Sequence, residues 1–255
     1  MAASKTLASL PHTAPPRYTV SLARDERDVR AAQRLRHKVF AGGLGASLTT
    51  PEPGLDVDAF DDCCDHLLVR EEATGAVVGT YRLLRPVPAS AAGSLYAAAE
   101  FQLGGLAGIR HDLVEASRFC VHPDHNEEAV VSFIWAGVAR YLTRAGHGWL
   151  GGCCSVPLAD GGALAGRVWE TLSAKHLSPA EYRVTPRLPW RATATSSARA
   201  PLPPLLSGYV RLGAWVCGEP AYDVDFGAAD FYVLLSVRHA DPRHFNRLLA
   251  LASAW

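Results

Sequence analysis

The sequence predicts an α/β (α+β) domain with a mixed central sheet, flanked by helices in three layers. Strand-like and helix-like hydrophobic periods follow one another as strand, helix, two strands, strand, helix, strand, helix, strand. A Thr74-Gly75 turn joins the two consecutive strands as an antiparallel hairpin. The chain of 255 residues, 49% hydrophobic, is long enough for one substantial core.

Tyr18–Ala23 reads as the opening strand. Asp25 can cap the next helix, with Asp28 three residues on, and Val29, Ala32, Leu35 and Val39 recur at helical spacing through Phe40. Gly-rich Ala41–Gly54 ends that helix as a loop. His66–Arg70 and Val77–Leu84 form the hairpin, and a short helix is expected around Leu95–Phe101. Leu113–Val121 is a strand halted by Pro123. Ala129–Ala145 is a helix stopped by Gly146, Trp149–Val156 a buried strand and Gly162–His176 a further helix. Phe231–Val237 is a late strand and Pro242–Ala254 a terminal helix. Residues 1–16 are expected to be a disordered tail, 17–255 one domain, and 190–204 a mobile insertion.

The 25 basic and 25 acidic residues balance, which argues against nucleic-acid binding. No run of about 18 apolar residues predicts a transmembrane helix, and no apolar signal core opens the chain, so a cytoplasmic location is expected. Six cysteines without CxxC spacing read as buried free thiols, and no metal site is expected.

Four patches can carry chemistry. Arg36 and Phe40 share a helical face, where an Arg could bind a carboxylate and a Phe line an apolar pocket; taken alone, the pair reads as a surface cation beside a core ring. Asp61, Asp62 and Asp65 crowd the start of a strand and need a cation, unless they form a solvated turn. Arg82 interrupts an apolar strand and calls for a carboxylate partner or a solvated face. In Glu115–Val121, simple alternation puts Glu115, Ser117 and Phe119 on one face and Ala116 and Arg118 on the other. A Glu in a cleft can serve as a general base. Val121–Asn126 leads into a helix whose first turn carries Glu127 and Glu128, an unfavourable seat for a pyrophosphate. Cys120, with His122 two residues on, is the rival nucleophile.

In order, Arg36/Phe40, Asp62/Asp65, Arg82 and Glu115/Arg118 resemble the pattern of acyl-homoserine-lactone autoinducer synthases. Cys64–Val69, Phe119–Pro123, Tyr209–Ala214, Cys217–Ala221 and Ala229–Phe231 resemble the ornithine N-acyltransferases of ornithine-lipid synthesis more closely. Both groups have the GNAT fold, and the resemblance spans roughly residues 18–250. One departure is Asn126, standing where a basic residue usually follows His125.

The resemblance implies an N-acyltransferase that moves a long-chain acyl group, 3-hydroxylated or not, from acyl carrier protein to a small amino-acid acceptor such as ornithine. The donor would be a phosphopantetheine thioester, with no permanently bound cofactor. Glu115 and Arg118 are the expected catalytic residues. Arg36, Phe40, Asp62, Asp65, Arg82, Phe119 and His122 are the expected substrate-binding residues. Phe101, Phe119, Phe133 and Trp135 are candidates for an acyl tunnel, and Arg140, Arg144, Arg167, Lys175 and Arg183 for docking an acidic carrier. Peripheral contact with the inner face of the membrane would suit a lipid product. The alternatives are an acyl-homoserine-lactone synthase, disfavoured because Ala41–Gly54 holds no Trp, a CoA-dependent acetyltransferase, disfavoured by the missing Gly-rich turn, and a non-catalytic acyl-carrier or lipid-binding module.

Overall fold

A computed structural model describes residues 17–43, 46, 48, 50–86, 93–192 and 201–251. In chain order its strands are β1 (Tyr18–Leu22), β2 (Cys64–Glu71), β3 (Val77–Leu84), β4 (Phe101–Gln102), β5 (Leu113–Val121), β6 (Trp149–Pro157), β7 (Thr185–Pro186), β8 (Trp215–Val216), β9 (Ala221–Asp223) and β10 (Ala228–Ser236). The α-helices are α1 (Glu26–His37), α2 (Glu127–Ala145), α3 (Ala163–Lys175), α4 (Pro204–Arg211) and α5 (Pro242–Leu251). The main sheet runs β1-β2-β3-β5-β6-β10-β8, with β9 also on β10, while β4 and β7 pair separately. Every pairing in the main sheet is antiparallel except β5 with β6.

Two faces of this sheet are covered, as the three-layer prediction requires. One core holds Val114, Ala116, Val131, Ile134, Leu172, Leu206 and Leu248, so α2 to α5 lie together on that side. Gly137 lets α2 press onto the sheet: a Cβ there would come within 2.8 Å of Leu67 and Val20. α1 and the segments 50–63 and 95–112 cover the other face, over Leu84, Leu113, Tyr232 and Leu234 and around Phe40 and Cys120.

Helix ends follow the chemistry of their sequences. The Asp25 side chain accepts from the Asp28 N–H, and Asn126 caps α2 by accepting from Ala129 at 2.9 Å. Gly146 closes α2 with φ +72°. The expected helix through Phe40 is α-helical only to His37. Lys38–Gly43 continues it as a wider π-helical turn, which carries Phe40 into the core. The short helix expected near Leu95–Phe101 is a 3-10 turn at Tyr96–Ala99. The late strand begins three residues earlier than predicted, at Ala228. Within 190–204 the sequence suggests only an insertion. Residues 193–200 lie outside the described residues, as does the tail 1–16, but Pro204 opens α4, whose Leu205, Leu206 and Tyr209 enter the core.

Candidate active site

The site is built where β5 departs from regular geometry. Thr80 of β3 pairs with Cys120 and Arg82 with Ser117, so Tyr81 alone faces Arg118 and Phe119. Arg118 supplies the extra residue in a left-handed conformation, φ +55°, which is costly for a side chain with a Cβ. The bulge shifts the alternation of the strand. Before it, Val114 and Ala116 face the helical core, and Glu115 and Ser117 face α1. After it, Phe119 faces the helical core and Cys120 faces α1. Arg118 therefore joins Glu115 and Ser117, and Phe119 lies on the opposite face. Simple alternation predicts the reverse because it allows for no bulge.

Three guanidinium groups converge on the α1 side. Arg36, fully buried, pairs through Nε with Asp56 at 2.8 Å and through Nη2 with Asp61 at 2.8 Å. Arg82 Nη1 meets Asp58 at 2.5 Å and Asp61 at 2.9 Å, and its Nε donates to Ser117 Oγ at 3.1 Å. Arg118 Nε lies 3.5 Å from Asp56 and 3.6 Å from Asp58, with its guanidinium over the Phe40, Tyr96 and Phe226 rings. Gln33 donates to Asp61 at 3.0 Å. Burial alone would raise the Asp61 carboxyl, but Arg36 and Arg82 outweigh it and hold the group well below the usual carboxylate range. The same balance, with Arg82 foremost among the cations, lowers Asp58.

The carboxylates of this network are thus Asp56, Asp58 and Asp61; of the crowded acidic cluster Asp61 meets Arg36 and Arg82, whereas Asp62 and Asp65, expected to join a site with Arg82 and Arg118, stand outside it. Asp62 is exposed. Asp65 accepts from the Tyr141 hydroxyl at 2.6 Å and pairs with Arg85 at 3.1 Å. The turn before β2 directs Asp61 inward, and strand alternation then carries Asp65 away from the network.

β5 and β6 pair only from Leu113/Trp149 to Ala116/Gly152. The backbones are close there, since a Cβ on Gly152 would meet Ala116 O at 2.2 Å. Beyond this point both strands continue but separate, and a cavity of about 910 Å³ opens between them. Its lining divides by chemistry. Glu115, Arg118, Glu100 and Asp230 contribute polar groups, while Phe119, Val121, Val156, Leu205 and Leu206 contribute apolar ones from the helical-core side. Of the expected tunnel aromatics, Phe119 lines the cavity. Phe101 packs on Tyr232, Phe133 on Tyr18 and Trp135 on Tyr209.

Glu115 is 1% exposed and accepts from the backbone N–H groups of Tyr96 and Ala97. Burial pushes its carboxyl up to about 7, against the opposing pull of those two donors and of Arg82 and Arg110. Cys120 is buried, and burial holds its thiol far above the ordinary range. His122 lies at the cavity with Nε2 2.7 Å from Lys38 Nζ. Burial and then Lys38 lower its pKa.

Sequence reasoning misses Lys38, Glu100 and Asp230. Asp230 carries the legible signal, a carboxyl inside the apolar run of β10 that requires a partner. Among the expected carrier-docking cations, Arg144 and Lys175 are exposed.

Residues 35–136 match the model of the acetyltransferase (GNAT) domain family. The chain is 35% identical over 247 residues to the L-ornithine N(alpha)-acyltransferase of Rhizobium meliloti (strain 1021), covering 88% of this chain and 82% of the relative. A protein of the same name from Rhodobacter capsulatus is 35% identical over 247 residues, covering 91% and 94%. Among solved structures, the CoA-dependent acyl-homoserine lactone synthase BjaI, with SAM and isopentyl-CoA, aligns with TM-score 0.54 at 17% identity over 93% of this chain and 89% of its own. The acyl-homoserine lactone synthase LasI aligns with TM-score 0.51 at 13% identity over 87% and 90%. At these identities the structural matches speak to the fold.

Proposed function

The chain belongs to the L-ornithine N(alpha)-acyltransferase family, acyltransferases with a GNAT-like fold, and from that premise we propose that it moves a long-chain acyl group from acyl carrier protein to the α-amine of ornithine. The observation that carries this reading is the parting of β5 and β6 after Ala116/Gly152. It opens one cavity with an apolar side for a chain and a polar side for an amino acid.

In this reading the thioester carbonyl lies in the gap, where backbone groups of β5 beyond its last β6 partner are free to polarise it. The acceptor amine attacks the carbonyl carbon, the C–N bond forms and the C–S bond breaks. Glu115 takes the amine proton, directly or through a water, and the carrier thiolate leaves. A carboxyl pushed up to about 7 is matched to that task near neutral pH. Arg118 lines the cavity and is suited to hold the acceptor carboxylate. Arg36, Arg82 and the three aspartates hold Arg118 and the 50–63 segment in place. Phe40 is the edge of this arrangement, set under the Arg118 guanidinium.

The carrier is favoured over CoA by charge. α2 opens with Glu127 and Glu128, and Glu127 lines the cavity. A pyrophosphate there meets two carboxylates, whereas the single phosphodiester of a phosphopantetheine arm can be met by Lys38 at the His122 side. No helix among the described residues is long and apolar enough to cross a membrane, so contact with a lipid surface would be peripheral. The test supplies purified protein with ornithine and a 16-carbon acyl group, on carrier protein or on CoA, and measures N-acyl-ornithine by mass spectrometry. Product from the carrier thioester is expected. Equal turnover of acyl-CoA would remove the carrier preference, and no product from either donor would remove the function.

A further inference from the structure

We propose that Glu100 and Asp230 form a subsite for the side-chain ammonium of a diamino-acid acceptor, so that the cavity selects acceptors carrying a second positive charge. The proposal rests on the reading of the cavity as an amino-acid acylation site.

The two carboxyls and the Cys153 thiol converge, their ligand atoms all within 4.8 Å of one another, and all three groups line the cavity. Asp230 is 3% exposed and is the third residue of β10, followed by the apolar run Phe231–Leu235. Its Oδ1, and Oε2 of Glu100, are buried without a hydrogen-bond partner. Such atoms are costly unless something completes them. Among the described residues neither carboxyl has a lysine, arginine or histidine within ion-pair distance. The nearby network, by contrast, matches three guanidiniums to three carboxylates. The pair therefore has the charge deficit that the network lacks.

Its surroundings agree with a monocation. Burial pushes both carboxyls upward; Asp230 pushes Glu100 further, while hydrogen bonds to Glu100 and Ser155 pull Asp230 partly back, so the pair retains a proton. An entering ammonium supplies the compensating charge and N–H donors, and the pair can release that proton.

The register places the pair usefully. Glu115 lies beside Gly151 of β6, and Asp230 beside Ser155. Cys153 and Ser155 share a face of β6 by alternation and line the cavity, and their small side chains leave a floor beside the pair. The aliphatic stem of a diamino acid fits there, with its α-amine toward Glu115 and its terminal ammonium toward the pair. The signal is chemical: ornithine has this second ammonium, and norvaline is the same skeleton without it.

The experiment compares kcat/KM for ornithine and norvaline, with one acyl-carrier thioester, in wild type, Asp230→Asn and Glu100→Gln. Both substitutions keep shape and remove only the ability to ionise. The wild-type ratio should favour ornithine, and each variant should lower it by roughly 10- to 100-fold, chiefly through the KM for ornithine. Cys153→Lys is the independent variant, because it tethers an ammonium beside the pair and should shift the ratio toward norvaline. Folded variants with the wild-type ratio would overturn the assignment. So would a stoichiometric divalent metal in the purified protein that Asp230→Asn releases. If wild type fails to acylate ornithine at all, the acylation reading itself falls and takes the subsite with it. If wild type acylates ornithine but the ratio is unmoved in the variants, only the subsite falls.

Discussion

Glu115 shows how one buried position sets the chemistry. Two backbone N–H groups fix its carboxyl, yet burial dominates and raises it to about 7. As the base it must be ionised, so wild-type turnover should rise with pH through about 7. Glu115→Gln keeps the shape and cannot accept a proton. It should lower kcat roughly 100- to 10,000-fold at neutral pH, with partial recovery at high pH where more acceptor amine is already neutral. Near-normal turnover of a folded Glu115→Gln protein would remove Glu115 from the mechanism. Cys120 gives the complementary test. Its thiol is buried and raised by that burial, which opposes formation of a nucleophilic thiolate. Cys120→Ala should retain most activity, and an acyl group trapped on Cys120 would show that transfer is not direct. Glu115, Arg118 and Arg82 were legible in the sequence because charges inside apolar strands demand an explanation. Glu100 was not, since it stands in an Ala-rich turn with no periodic context.

At the scale of elements, the buried charge network ties a long irregular segment to α1. Residues 50–63 have little regular structure of their own. Arg36 accepts the task of holding them, through Asp56 and Asp61, with Gln33 alongside. Arg36→Ala leaves two buried carboxylates short of their main cation, and should cost about 3–5 kcal/mol. Urea unfolding at pH 7 checks this, and a loss below about 1 kcal/mol would show that the network relaxes around the gap. The Arg36/Phe40 spacing was visible in the sequence, but the identity of the aspartates was not. Asp62 and Asp65 attract attention because they flank a strand start, whereas the inward turn at Asp61 and the approach of Asp56 and Asp58 are tertiary. The bulge at Arg118 was equally hidden. Nothing in Ser117-Arg118-Phe119 marks a left-handed residue, because its cost is met by contacts with Phe40, Tyr96, Phe226 and the aspartates far away in sequence.

For the whole molecule, the order and type of the long elements were legible because their hydrophobic periods are set by which face each buries. The two-residue strands β4, β7 and β8 and the helix α4 were not, since they take their form from the core they close. The same core sets opposite pH demands. Asp58 and Asp61 have lowered pKa values, so their contribution to stability is present above the ordinary carboxylate range and is lost as pH falls. Glu115 is raised from 4.5 to about 7, so the folded state holds its proton more tightly than the unfolded chain. Its contribution is full below about 4.5 and is lost as pH rises through about 7, by at most on the order of 3 kcal/mol. Activity needs Glu115 ionised, and stability favours it neutral. Glu115→Gln cannot titrate, so its stability should depend less on pH between 5 and 8. Urea-unfolding free energies of wild type and Glu115→Gln across that range provide the check. The difference should move steadily in favour of Glu115→Gln as pH rises, whatever its starting offset from altered hydrogen bonding to Tyr96 and Ala97. A difference that stays constant from pH 5 to 8 would mean that Glu115 titrates as it does in the unfolded chain, and the burial argument for its role as base would fail with it.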